Sequence, residues 1–152
     1  MKKTLTGIDG FDKVTNGGLP AGRPTLIAGG PGCGKSLFTL SCVASIAANK
    51  GQGAVFLSFE EQVADIIVNA ESIGLDLEAL VDKGTLIIDH IPQPERDTFE
   101  IGSYNLDGLL ARLALMIKEA DAKIFGIDTI ETLFVMFQDT SIVRSELVKL
   151  FN

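Results

Sequence analysis

Apolar residues along this chain fall into two kinds of run. Four are short and mostly apolar: "TLIAG" (25–29), "AVFLSF" (54–59), "TLIIDHI" (85–91) and "KIFGID" (123–128). Runs of that length bounded by polar or glycine residues predict strands buried on both faces. Between them lie longer stretches with apolar residues at helical spacing: 37–51, 65–74, 76–84 and 106–122. The first, "LFTLSCVASIAANKG", is apolar nearly all round, which predicts a helix covered on more than one side, with Gly51 as its C-terminal cap. Asn105 is placed to cap the fourth helix. A last helix is expected over 141–151, and residues 92–104 read as a polar loop with two prolines. Alternating strands and helices imply right-handed crossovers and a mostly parallel sheet with helices on both faces, the α/β class.

The length of 152 residues fits one domain. Hydrophobic residues make up 46% of it, and the mean hydropathy is +0.30, so part of the surface is expected to meet a partner. Thirteen basic against 20 acidic side chains give a formal charge of −7, which argues against broad binding to a phosphate backbone. No run reaches the roughly 18 apolar residues of a membrane span. "MKKTLTGIDG" has no apolar stretch behind its lysines and is no signal peptide. Two cysteines, Cys33 and Cys42, make no disulfide framework and read as reduced thiols in a cytoplasmic protein.

The chemistry concentrates in "GGPGCGKS" (29–36). Gly29, Gly34, Lys35 and Ser36 meet the pattern G-x-x-x-x-G-K-[ST], after an apolar run and before a helix, which is the context that pattern needs. Glycines let successive N–H groups turn inward as an anion nest, and the helix N-terminus adds free donors and partial positive charge. Phosphates are therefore expected on residues 30–37, from Gly30 onward. Lys35 can reach the β- and γ-phosphates of ATP, and Ser36 can offer its hydroxyl to Mg²⁺. A P-loop also needs a carboxylate for its metal, and Asp128, closing "KIFGID", is the candidate; an ordinary helix cap is the plainer alternative. Glu60 and Glu61 follow "FLSF", where carboxylates can orient or deprotonate a water. A solvated acid pair is the plainer reading there, weighing more on Glu61 than on Glu60. Cys33 reads as a small side chain that fits its loop, and His90 as structural. Arg112 and Lys118 read as a solvated helix face, and Ile8, Phe11 and Leu19 as packing residues around Gly17, Gly18 and Gly22.

These segments together resemble the KaiC family of RecA-like ATPases. "TGIDGFDKVTNGGLPAGRPTLIAGGPGCGKSLF" is similar to the family's leading segment and Walker A loop, and "FLSFEE" to its strand with paired glutamates. "DIIVNAESIGLDLEALVDKGTLIIDHIP" is similar to the helix pair and strand that follow. "IDTIETLF" is similar to the Walker B region and "SIVRSELVKLF" to the helix after it. The likeness is strongest to the first, N-terminal ATPase domain of the family. It implies a Mg-ATP site at a subunit boundary of a homo-hexameric ring. Glu60 takes the place of the catalytic glutamate and Glu61 that of its partner. Gly32, Cys33, Gly34 and Leu37 are the remaining loop positions, and Ser72 matches a position near the nucleotide. A clock-type partner such as KaiB is implied in the same way.

The RecA-like fold also implies a further strand between 25–29 and 123–128, and more beyond it. Residues 1–152 are accordingly expected to be a partial domain whose C-terminal strands are missing, with trans-acting basic residues beyond Asn152, weak turnover alone and an open, adhesive sheet edge. Two other functions share the motifs: a RecA/DnaB-type DNA-dependent ATPase, and a non-hydrolysing regulatory module gated by nucleotide.

Overall fold

The computed structural model describes residues 1–48, 52–92 and 106–136, together with positions 141, 144, 145, 147 and 148. Gly51, Asn105, all of the polar loop beyond Pro92 and most of 141–151 lie outside the described residues.

Three parallel strands form the centre: β3 (Gly53–Ser58), β4 (Leu86–His90) and β5 (Ala122–Asp128), in the order β4-β3-β5. The middle strand is buried along its whole length, which is why Ser58 is the one polar side chain in "AVFLSF". Its side chains alternate between two cores. Ala54 and Phe56 pack with Leu40 and Val43 of α2 (Lys35–Ala48), Ile66 of α3 (Val63–Glu71) and Leu77 of α4 (Leu77–Asp82). Val55, Leu57 and Phe59 pack with Leu109, Leu113 and Met116 of α5 (Leu106–Glu119). Helices thus cover both faces, in the manner of a RecA-like P-loop ATPase fold. Each fully buried side chain of the size of Phe56 contributes about 1.5–3 kcal/mol.

The four helices expected before residue 123 form, with shifted ends where they are described. Asp76 caps α4, its carboxylate accepting the Ala79 N–H at 3.0 Å. A further short helix, α6 (Ile130–Met136), follows β5.

The run at 25–29 departs from expectation. Residues 24–30 form no strand, and Leu26 is 75% exposed. Among the described residues this stretch has no ladder partner, and β5 is paired along one edge only, with β3. Apolar composition makes a segment fit to be a strand; neighbouring donors and acceptors make it one.

The leading segment has its own architecture. Two-residue strands β1 (Lys3–Thr4) and β2 (Leu19–Pro20) pair antiparallel around α1 (Asp9–Val14). The Asp12 carboxylate accepts the Thr6 N–H at 2.9 Å, the Thr6 hydroxyl at 2.7 Å and the Gly7 N–H at 3.0 Å. This knot lies against α2: a β-carbon on Gly7 would come within 1.9 Å of Ser45 Oγ. Phe11 meets Phe38 edge-on, with ring centroids 5.0 Å apart. The sheet on one side and the leading segment on the other account for the all-round apolar sequence of α2.

Candidate functional site

Residues 29–34 turn sharply into α2. Gly32 and Gly34 adopt φ of +73° and +86°, a region that side chains with a β-carbon resist. The first helical bonds follow at once, with Phe38 N–H donating to Gly34 C=O at 2.9 Å. Lys35 arches back over the loop, its ammonium donating to the carbonyls of Gly29 and Gly30 at 2.9 Å each. A lysine cation thus lies above a loop that ends in the free donors of a helix start.

Across from the loop stand the C-terminal ends of the strands. Ser58 is in register with Asp128 on one side and with His90 on the other. Asp128 is 8% exposed, and its carbonyl accepts the Phe59 N–H at 2.8 Å. The buried Ser58 hydroxyl accepts the N–H groups of Glu60 at 3.3 Å and Glu61 at 3.0 Å, which bends the chain as it leaves β3. That bend sends the two carboxylates to different partners. Glu60 Oε1 accepts the Thr129 hydroxyl at 3.2 Å, while Glu61 Oε2 accepts the Asn69 amide at 2.9 Å.

A cleft of about 380 Å³ lies between these parts, within the usual size range for a small-molecule site. Gly32, Gly34, Lys35, Ser36 and Leu37 form one wall, and Glu61, Ile66, Asn69 and Ser72 the other, with Phe56 and Asp128 also lining it. Eight of the expected site residues therefore share one cavity: Gly32, Gly34, Lys35, Ser36, Leu37, Glu61, Ser72 and Asp128. Gly30 and the exposed Cys33 flank it on the loop, and Glu60 is turned to Thr129. Asn69 was missed by sequence reasoning. An exposed polar residue in a helical run gave no signal that would have found it. Arg112 is no merely solvated residue, since it pairs with Asp89 of β4.

The donor set suits a hard cation. A hydroxyl and one carboxylate, Ser36 and Asp128, are what Mg²⁺ uses when phosphates and water complete its shell. Among the described residues no group of three or more His, Cys, Asp or Glu side chains gathers as an all-protein metal cage. The two thiols differ: Cys42 is buried, and burial together with the nearby Asp12 carboxylate pushes its thiol up to about 11. Among the described residues no helix is long and apolar enough to cross a membrane.

A glycine-turned loop running into a helix, its lysine above it and an acid at the end of a parallel strand define a P-loop nucleotide-binding domain. The chain belongs to the KaiC ATPase family: the family model described as "ATPase: KaiC" matches residues 4–152. It is 46% identical over 150 residues to circadian clock protein KaiC2 of Synechocystis sp., covering 99% of this chain and 26% of that protein. Identity is 40% over 152 residues to circadian clock oscillator protein KaiC of Parathermosynechococcus lividus, covering 99% and 28%. It is 40% over 151 residues to the KaiC of Synechococcus elongatus, covering 99% and 29%. The chain thus spans under a third of the length of these relatives.

Proposed function

We propose that residues 1–152 are part of a RecA-like domain that binds Mg-ATP and hydrolyses its terminal phosphoanhydride. The observation that carries this reading is the single cleft shared by Lys35, Ser36, Glu61 and Asp128. In this reading Gly30, Gly32, Cys33, Gly34 and Leu37 form the phosphate loop, and Ser72 lies beside the nucleotide. Lys35 exchanges its two carbonyl partners for phosphate oxygens. Ser36 and Asp128 hold the metal, which supplies Lewis-acid charge to the phosphates. Glu60 orients the attacking water, and Glu61 supports it from the cleft wall. A homo-hexameric ring and a KaiB-type partner belong to the same reading and rest on the family resemblance.

The test is nucleotide binding and phosphate release by the full-length protein. Lys35→Ala abolishes or severely cuts binding of Mg-ATP. Glu60→Gln lowers hydrolysis by about 10²–10⁴-fold while affinity holds within a few fold. Undiminished affinity in a folded Lys35→Ala protein sinks the reading.

A further inference from the structure

Two acids adjacent in sequence would ordinarily repel one another and wander in solvent. Here each is tied to a different element, and the ties are not equivalent. Thr129 holds Glu60 by a hydroxyl at 3.2 Å. Asn69 holds Glu61 by an amide at 2.9 Å, and both partners of that second bond line the cleft. Asn69 reaches Glu61 across eight residues, from the last turn of α3 back to the bend where β3 ends.

The parts around Asn69 fix its direction. Ile66 and Ala70 are buried in the core beneath α3 and set the rotation of that helix. Asn69 and Ser72 then fall on the side that faces the cleft. The Ser72 hydroxyl donates to the Asn69 carbonyl at 2.6 Å, bracing the end of the helix. At the other end of the contact, the Glu61 backbone is pinned by Ser58. Glu61 is thus restrained at its main chain by one bond and at its carboxylate by another. The amide engages Oε2, and a donor to a carboxylate fixes the rotation of the acid it binds.

We infer that Asn69 is a positioning residue for Glu61: it fixes one carboxylate oxygen so that the other is presented to the cleft at a set angle. The inference rests on the hydrolytic reading of the site. It asks Asn69 to act through Glu61 and not on the nucleotide.

A double-mutant cycle in the full-length protein separates these roles, with kcat, KM for Mg-ATP and the pH profile of kcat as readouts. Loss of a hydrogen bond to a charged group predicts a fall in kcat of about 10- to 100-fold for Asn69→Ala, with KM within about twofold. In a Glu61→Gln background the same substitution changes kcat by less than about twofold, because its target is already gone. Asn69→Asp sets a like charge against Glu61, so the acid limb of its kcat profile moves to higher pH. A residue that merely braced the helix would leave that limb in place. An equal loss in both backgrounds, a loss confined to KM, or an unmoved acid limb overturns the inference. If Glu61→Gln leaves kcat unchanged, the inference falls together with the assigned role of Glu61. If Glu61→Gln is impaired and Asn69→Ala is not, only the inference falls.

Discussion

Arg112 holds Asp89 by two contacts, Nε lying 2.7 Å from Oδ2 and Nη2 donating to Oδ1 at 2.8 Å. The pair fastens α5 to β4, one residue before His90. Arg112 is 53% exposed at its side chain, so solvent screening keeps the contribution small. Arg112→Ala is expected to cost about 0.5–1 kcal/mol in urea unfolding. Arg112→Lys should fail to recover it, since lysine cannot offer two nitrogens to one carboxylate.

Asp12 gives the leading segment a pH dependence. Burial works to raise its pKa, but the three donors from Thr6 and Gly7 outweigh that and hold the carboxyl below the usual aspartate range. A lowered folded pKa contributes stability that is complete above the unfolded value and is lost as pH falls through the folded one. The stability gap between the wild type and Asp12→Asn should therefore be widest at neutral pH. It should close as pH drops through the aspartate range and below it, as followed by urea unfolding at a series of pH values.

Gly126 lies where α2 crosses β5. A β-carbon there would meet Thr39 Cγ2 at 2.8 Å, Val43 Cγ2 at 3.1 Å and Phe56 Cδ2 at 3.2 Å. Gly126→Ala is expected to cost about 1–3 kcal/mol by overpacking. It also pushes the helix that carries Lys35 away from the strand that carries Asp128. Nucleotide affinity should fall along with the unfolding midpoint, and calorimetric titration beside urea unfolding checks both.

The thiols should separate cleanly. Cys33 is exposed on the loop, whereas Cys42 is 3% exposed with its thiol raised to about 11. Under native, mildly alkaline conditions a thiol reagent is expected to label Cys33 quickly and Cys42 only after unfolding. Mg-ATP should slow labelling of Cys33, and mass spectrometry of the labelled peptides reads the result.

The helices and the three paired strands were legible because each buries a regular face, and burial leaves a period in the sequence. The segment 25–29 had the composition of a strand, but pairing is settled by what lies alongside, which composition does not encode. The leading segment was opaque for another reason: two-residue strands and a six-residue helix are too short to show a period. The glycine loop, Lys35 and Asp128 could be found because glycine, lysine and a strand-ending acid have few other uses in that order. Asn69 could not, since an exposed polar residue on a helix looks like any solvated one until its partner is known. Arg112 misled in the same way, being exposed and yet tied to Asp89.

The two walls of the cleft are anchored very differently. Six residues of α2 are buried, from Leu40 to Ala47, and the leading segment lies over its outer side. Only Ile66 and Ala70 of α3 are buried, and Val68 of that helix is 64% exposed. The cleft resembles a vice with one jaw bolted to the frame and the other on a slide. Helices with few buried contacts open at lower free energy than those gripped on both sides. The phosphate end of a ligand therefore meets a rigid surface, and any change in the width of the cleft is taken up by α3, carrying Asn69 and its hold on Glu61 with it.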